Sequence, residues 1–265
     1  MTVEQQCAPY ALPRAGDAGR YARDEIMKRQ YLGDSKDSFK WDYHDYLASA
    51  LRYPRLNIIL MLTPDDHSRD GQTHPERFNA RPAVISFCRN LKKERNIQLL
   101  RELPTATGAS YVVDLHKPET YFTHQNRRQY FSDLLAEGKQ IFFLDPDNGF
   151  EPERSRNEKH VLYSDIDTIF KQISEESVIS VFQHFRRIPF DTDFARIKER
   201  LTSVHVAAVC WHSLMFVAIA KIKETIEKIV AANRQYTQKV SSEGAGMKRM
   251  HNHRVHLIAQ KTGSR

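Results

Sequence analysis

Short, continuous apolar runs alternate with helix-like stretches along the middle of this chain, and this alternation limits the possible folds more than any other feature. The runs occupy residues 57–63, 110–115, 140–144, 177–182, 204–210 and 214–220. Strands that are apolar at successive positions are buried on both faces, which is typical of a largely parallel sheet. The sequence therefore predicts an α/β fold with helices on both faces of the sheet.

The last two apolar runs are separated only by Trp211, His212 and Ser213. A parallel pair needs a crossover of a dozen residues or more, so these two strands must form an antiparallel hairpin. A mostly parallel sheet that ends in such a hairpin resembles the methyltransferase-type variant of the Rossmann fold. We therefore predict a Rossmann-like, mostly parallel sheet with a C-terminal antiparallel hairpin.

Helices are predicted between the runs from apolar spacing and from Pro or Gly at their ends, and Asp191 is predicted to cap one of them. They cover residues 38–53, 82–103, 124–137, 163–174, 191–201 and 220–240. This pattern predicts three parts in the chain. An N-terminal arm with helices that pack on the core (1–54) precedes the Rossmann-like domain (55–220), and a basic helix with a flexible tail (221–265) follows it.

The positive charge of the chain lies at its C-terminus. The formal net charge is +7, and the whole excess of Lys and Arg over Asp and Glu falls in residues 221–265. Such an asymmetry favours contact with the phosphates of DNA or RNA, through Lys248, Arg249 and Arg254. A solvated helix face and tail is the alternative, and the histidines of this segment leave metal binding as another.

The expected compartment is the cytoplasm. The three cysteines lie far apart and form no CxxC pair, which suits a reducing environment. No apolar run is long enough to span a bilayer, and the first residues do not resemble a secretory signal. We therefore expect a protein without membrane segments, while the sequence predicts no particular oligomeric state.

Polar residues follow four of the predicted strands. In open α/β sheets, ligands bind beyond the carboxyl ends of the strands. Asp66 and His184 follow two of the runs, Asp114 lies at the end of a third, and residues 145–149 (Asp-Pro-Asp-Asn-Gly) follow the run at 140–144. These positions predict a binding or catalytic site at one edge of the sheet, centred on residues 145–149.

The segment Asp145, Pro146, Asp147 and Asn148 resembles the Asp-Pro-Pro-Tyr motif of the amino-group methyltransferases. The first two positions match, whereas Asp147 and Asn148 replace the second proline and the aromatic residue. The resemblance implies that the Asp145 side chain and the Pro146 carbonyl orient a target amine, with S-adenosylmethionine as the methyl donor. Asn148 and His184 would position the acceptor.

Residues 31–43 resemble an Asn-Phe-Ala-Asp-Val-x-Lys-His element of the large-subunit ribosomal RNA adenine methyltransferases, which helps to hold S-adenosylmethionine. The resemblance implies that Asp34, Asp37 and Lys40 face the cofactor or substrate, and the strand-end residues Asp66 and Asp114 complete the predicted cofactor-binding side. Over about residues 30–220, the chain is also similar to a family of uncharacterised bacterial proteins. The shared motifs are Gly-Asp…Phe-Lys-Trp-Asp, Asp-Pro-Asp-Asn-Gly and Gln-His-Phe.

Two other functions stay open because the segment after the first run, residues 63–71, has a single glycine instead of a glycine-rich loop. Its composition also argues against a nicotinamide site or a P-loop. The main alternative is a nuclease or phosphoesterase that uses Mg²⁺ or Mn²⁺. Its metal ligands and phosphate-binding arginines would be Asp145, Asp147, Glu151, His184, Arg186 and Arg187. The other alternative is a non-catalytic nucleic-acid-binding module.

Overall fold

The computed structural model describes residues 29–64, 71–134, 137–154, 156–243 and 256–258. Its main sheet contains β1 (Arg55–Leu60), β2 (Val112–Leu115), β3 (Ile141–Asp145), β6 (Val178–His184), β7 (His205–Trp211), β8 (Leu214–Ala220) and β9 (His256–Ile258). A small second sheet pairs β4 (Gly149–Phe150) with β5 (His160–Val161). The helices are α1 (Ser35–Ala50), α2 (Pro82–Glu94), α3 (Leu103–Thr107), α4 (Arg127–Ser132), α5 (Tyr163–Phe170), α6 (Phe190–Arg200) and α7 (Lys223–Glu243).

The main sheet has seven strands in the order β2-β1-β3-β6-β8-β7-β9. Strands β2, β1, β3 and β6 run parallel, whereas β8 runs antiparallel to both of its neighbours, β6 and β7. The predicted Rossmann-like fold, with a mostly parallel sheet and a C-terminal antiparallel hairpin, is confirmed. The second strand of the hairpin lies inside the sheet, and β8 is buried along its whole length.

Side chains alternate between two hydrophobic layers. In β1, Ile58 and Leu60 belong to the layer that contains α1, α2, α3 and α7, whereas Ile59 lies in the layer of α4, α5 and α6. Similarly, Phe143 of β3 packs in the first layer and Phe142 in the second. Because both faces are covered, the strands are apolar at successive positions, which explains the continuous runs in the sequence.

The first helix begins earlier than the sequence pattern predicted. It starts at Ser35 rather than at residue 38, because the Asp34 side chain accepts hydrogen bonds from the backbone amides of Lys36 and Asp37. Side chains of α1 pack against those of α7: the ring centroids of Tyr43 and Tyr236 lie 5.5 Å apart. Helices α1 and α7 therefore contribute to one core with the sheet.

Several predicted helices are shorter in the structure. The helix predicted at 82–103 is wrong in its second half: α2 ends at Glu94, Arg95 has a left-handed backbone (φ 50°), and a 3-10 helix (Ile97–Glu102) leads into α3. The Arg95 side chain holds this break, since it donates to the carbonyls of Gln30 and Leu32 at 2.6 and 2.7 Å. The helices predicted at 124–137 and 163–174 shorten to α4 and α5, and the N-cap of α6 is Pro189, not Asp191.

Part of the C-terminal segment joins the sheet. Helix α7 extends to Glu243, beyond the predicted end at 240, and β9 pairs with β7 in antiparallel orientation. The predicted phosphate-binding residues Lys248, Arg249 and Arg254 lie outside the described residues, as do Asp66 and residues 1–28 of the predicted N-terminal part. No helix in the described part of the chain is both long and apolar enough to cross a membrane.

Candidate functional site

A cavity of about 320 Å³ lies at the carboxyl ends of β1, β3 and β6, beside the first turns of α1. Its volume falls at the lower end of the range for small-molecule sites, roughly 300 to 1,000 Å³. Most of the predicted site residues line it. They are Asp34, Asp37, Lys40, Asp145, Pro146, Asp147, Asn148 and His184.

A buried ion-pair cluster forms one wall of the cavity. Lys40 of α1 places its Nζ 2.7 Å from Oδ2 of Asp145 at the end of β3, and 3.1 Å from Oδ1 of Asp37. Burial alone would lower the pKa of Lys40, but Asp145 and Asp37 raise it above its ordinary value, so Lys40 is an ammonium. Within the described chain, the side chain of Asp145 accepts a hydrogen bond only from Lys40, which leaves Oδ1 available.

The acidic groups outnumber the buried ammonium in this cluster. Burial raises the pKa of Asp145, against the opposing effect of Lys40, and the neighbouring carboxylates of Asp37 and Asp147 raise it further. Burial and then Asp37 also raise the pKa of Asp34. This wall therefore favours a positively charged or hydrogen-bond-donating ligand.

The start of α1 fixes two of these acids. Asp34 is the helix cap, and its Oδ1 accepts from the amides of Lys36 and Asp37 at 2.8 and 3.0 Å. Asp37 in turn accepts a hydrogen bond from the amide of Gly33 at 2.8 Å. Asp34 consequently orients the helix start, while Asp37 connects that start to Lys40.

The loop after β3 is held in place by β6. Gly149 has φ +107°, and a Cβ on it would lie 2.3 Å from Oε1 of Gln183, so only glycine fits without displacing that side chain. The same Oε1 accepts from the amide of Phe150 at 2.8 Å, and the amide of His184 donates to the carbonyl of Asn148 at 3.2 Å. At the other end of the loop, Thr63 donates to Asp147 at 2.8 Å.

His184 offers a nitrogen to the cavity wall. Its Nδ1 lies 3.3 Å from the carbonyl oxygen of Phe185. Because a carbonyl only accepts, this contact assigns the proton to Nδ1 and leaves a lone pair on Nε2. Burial, and then the charge of Lys36, lower the pKa of His184 below its ordinary value. The neutral ring can accept a proton from a bound acceptor group.

Trp41 is a cavity residue that the sequence pattern did not reveal. Its side chain is 1% exposed, and its Nε1 has no hydrogen-bond acceptor among the described residues. An unpaired buried donor is costly. A tryptophan inside a helix usually indicates core packing, so nothing local distinguished it. Lys36, four residues before Lys40, could have been found from its helical spacing.

Two predicted residues are bound elsewhere, and a third is exposed. Asp114 of β2 pairs with Arg55 at 2.8 Å and does not line the cavity. Arg186 pairs with Asp193 at 2.8 Å, and it also donates to the carbonyl of Phe150. Arg187 is exposed and has a positive φ of 63°. Of the two predicted phosphate-binding arginines in this segment, only Arg187 is therefore free of a described ion pair.

The carboxylates do not form a metal-binding group. Glu151 accepts hydrogen bonds from the amide of Tyr163 at 2.9 Å and from Arg156 at 3.3 Å, and it does not line the cavity. Across the described residues, no group of three or more His, Cys, Asp or Glu side chains is placed to hold a metal ion. The ammonium of Lys40 moreover pairs with Oδ2 of Asp145, one of the two oxygens that could bind a metal.

Comparisons with protein-family models, with curated proteins and with solved structures find no match to this chain. Its class is therefore defined by its own fold and cavity. It is a Rossmann-like α/β protein whose central strands end at a polar cavity. In that cavity, one buried lysine pairs with two carboxylates, and a neutral histidine lies on the wall.

Proposed function

We propose that this protein is an S-adenosylmethionine-dependent methyltransferase that acts on nucleic acid in the cytoplasm. One observation carries the proposal. The sheet has the antiparallel strand β8 between β6 and β7, and its cavity lies at the carboxyl ends of β1, β3 and β6. The segment that resembles the amino-group methyltransferase motif, residues 145–148, lines that cavity. Because a fold alone does not define a function, the residues must also suit the chemistry.

The cavity suits the charge of the cofactor. S-adenosylmethionine supplies a methyl group on a positively charged sulfur, and it also carries an ammonium group and a ribose diol. The wall formed by Asp34, Asp37 and Asp145 offers acidic acceptors to such groups.

The backbone after β1 differs from the glycine-rich loop that usually follows the first strand in S-adenosylmethionine sites. Instead of a glycine-rich loop, residues 61–63 follow the strand, and the amides of Met61 and Leu62 donate to the carbonyls of Asp145 and Leu60. These amides are not free to approach a cofactor. The side chains of α1 would therefore hold it, with Asp37 and Lys40 in the central position.

The acceptor group would be oriented from the other side of the cavity. Lys40 fixes the Asp145 carboxylate through Oδ2, so Oδ1 and the carbonyl of Pro146 can accept hydrogen bonds from the acceptor. Asn148 and His184 position the same group, and Nε2 of His184 can take its proton. Lys36 and Lys159, which also line the cavity, bring positive charge close to a nucleic-acid backbone.

Methyl incorporation tests this function directly. The protein is incubated with S-adenosylmethionine carrying a deuterated methyl group and with pools of RNA and DNA, and mass spectrometry follows the label in digested nucleosides. We expect labelled nucleosides with the wild type and a loss of about 100-fold or more with Asp145→Asn and with His184→Gln. Asp114→Asn, which alters a carboxylate outside the cavity, is the matched control and should retain the wild-type rate.

The alternatives give different results in the same preparations. Cleavage that depends on Mg²⁺ or Mn²⁺ and is lost in Asp145→Asn would replace methyl transfer with phosphodiester hydrolysis. Nucleic-acid binding with neither reaction would make the protein a binding module. Absence of both label and cofactor binding in the wild type would overturn the proposal.

A further inference from the structure

Phe185 is an exposed aromatic residue next to the cavity. It follows His184 at the carboxyl end of β6, and 41% of its surface is exposed. Its amide donates to the carbonyl of Ser213 at 2.9 Å, and its ring meets that of Phe190 edge-on with centroids 5.6 Å apart. The ring is therefore held in position while much of its surface remains available for contact.

Basic side chains lie around the same end of the sheet. Lys36 and Lys159 line the cavity, and Arg187 is exposed two residues after Phe185. We call these three residues the cationic rim. In the part of the chain that the structure describes, none of them forms an ion pair. Lys36 and His184 line the same cavity, which places this lysine at the strand end that carries Phe185.

The neighbouring Arg186, unlike the cationic rim, is neutralised by a carboxylate. It is bound in bidentate fashion to Asp193, at 2.8 and 3.2 Å, so it adds no free charge to the surface. The cationic rim differs because its charges have no carboxylate partner among the described residues. An exposed aromatic ring beside unpaired cations is the combination that binds single-stranded nucleic acid.

We propose that Phe185 is a stacking platform for an unpaired base of a single-stranded nucleic acid, whose flanking phosphates bind to the cationic rim. The inference rests on the proposed function, and it narrows the substrate from nucleic acid in general to an unpaired strand. Bases inside a duplex present only their edges, whereas stacking on Phe185 requires an open base face. A base held there would lead the strand past His184 towards Asp145.

Fluorescence anisotropy with dye-labelled oligonucleotides tests the platform. Single-stranded RNA and DNA of about ten nucleotides are titrated with the full chain, alongside a duplex of the same sequence. We expect Phe185→Ala to weaken single-strand binding by roughly 5- to 150-fold, the range for loss of one stacked base. Phe185→Tyr should bind like the wild type, because it retains the ring. A preference for RNA or DNA would identify the sugar.

Val112 provides the matched control, since it is the other large apolar residue that is strongly exposed in the described part of the chain. It begins β2, away from the cavity, so Val112→Ala should leave oligonucleotide binding unchanged. The platform is overturned if Phe185→Ala binds single strands as tightly as the wild type. Equal or tighter binding of the duplex would overturn it too.

A parallel calorimetric titration with S-adenosylmethionine separates this inference from the proposed function. If the wild type binds the cofactor but Phe185→Ala does not alter oligonucleotide affinity, the platform fails and the methyltransferase function stands. If Phe185→Ala weakens single-strand binding although the wild type does not bind the cofactor, the platform stands and the methyltransferase function fails.

Discussion

The two halves of α1 both bury charged side chains, but they use them differently. In the amino-terminal half, Asp37 and Lys40 lie on the wall of a cavity. In the carboxyl-terminal half, Asp42 and Asp45 share the guanidinium of Arg81, at 2.7 and 2.8 Å, and do not line that cavity. Buried charge alone therefore does not identify a binding site, whereas buried charge on the wall of a cavity does.

The closed half of the helix connects several elements. Asp42 also accepts a hydrogen bond from Tyr236 of α7 at 2.8 Å. Asp45 accepts from Thr107 of α3 and from Tyr111, both at 2.7 Å. These bonds and the ion pairs with Arg81 engage both carboxylates within the protein, and Oδ2 of Asp45 contacts Arg81 alone, so this half has a structural role. The open half leaves Oδ1 of Asp145 and Nε1 of Trp41 without partners in the described chain.

The largest expected effect concerns the closed half. Arg81→Met removes the one cation between two buried carboxylates, so we expect a loss of about 3 to 5 kcal/mol in the free energy of unfolding. Urea denaturation measures it. Arg55→Met breaks the more exposed pair with Asp114 and should cost at most about 1 kcal/mol. Equal losses in the two variants would contradict the structural role of the closed half.

The next effect concerns the open half. Lys40→Met removes the ammonium that fixes Asp145 and Asp37, and we expect methyl transfer to fall by about 100-fold. The free energy of unfolding should fall less than in Arg81→Met, because the remaining acids border a cavity and can be hydrated there. Steady-state rates and urea denaturation are measured on the same sample. Lys93→Met, at an 81% exposed side chain, is the control. A stability loss as large as that of Arg81→Met, with unchanged rates, would give the open half of α1 a structural role and no role in methyl transfer.

A smaller effect is expected at the loop that carries Asp145. Gly149→Ala combines a strained backbone with a Cβ only 2.3 Å from Oε1 of Gln183, so it should cost about 1 to 3 kcal/mol and reduce methyl transfer. Gly108→Ala is the matched control: its φ is also positive, at +71°, but no atom lies within 4 Å of the added Cβ. If both variants lose the same stability and keep the same rate, Gln183 does not position the loop.

The smallest effect is a shift in pH dependence. Burial and the charge of Lys36 lower the pKa of His184, so its base form is present above that pKa and is lost as the pH falls below it. Methyl transfer should therefore decline only at a pH below the ordinary histidine value of 6.5. Lys36→Gln should raise the midpoint by less than about one pH unit. A profile of kcat/KM against pH that does not move in this variant would exclude the influence of Lys36.

Much of the fold is predictable because its signals are local. Each of the six apolar runs overlaps a strand, and the short Trp211–Ser213 connection required a hairpin. The position of β8 inside the sheet was not predictable, because β8 pairs with β6, and α6 and β7 separate these two strands in the sequence. The break at Arg95 was missed for a similar reason: its side chain binds carbonyls of residues 30 and 32, far away in the sequence.

The site was predictable as a set of strand ends and less so as a set of contacts. Residues 145–148 and His184 line one cavity, together with Asp34, Asp37 and Lys40. The contact between Lys40 and Asp145 joins residues 105 positions apart, so no local pattern indicates it. Asp114 lies near the end of β2 and Arg186 follows β6, but each forms an ion pair that the sequence did not reveal. Their predicted binding roles stay predictions.

The assignment of the open half of α1 as the cofactor site is tested most directly by calorimetric titration of S-adenosylmethionine into the wild type, Asp37→Asn and Asp45→Asn. The melting temperature of each protein is measured in parallel. Both variants neutralise a buried aspartate on α1, one in each half of the helix. We expect micromolar binding by the wild type, a loss of about tenfold or more in Asp37→Asn, and retained affinity with a lower melting temperature in Asp45→Asn. Absence of binding by the wild type, or an equal loss of affinity in both variants, would contradict the assignment of the open half as the cofactor site.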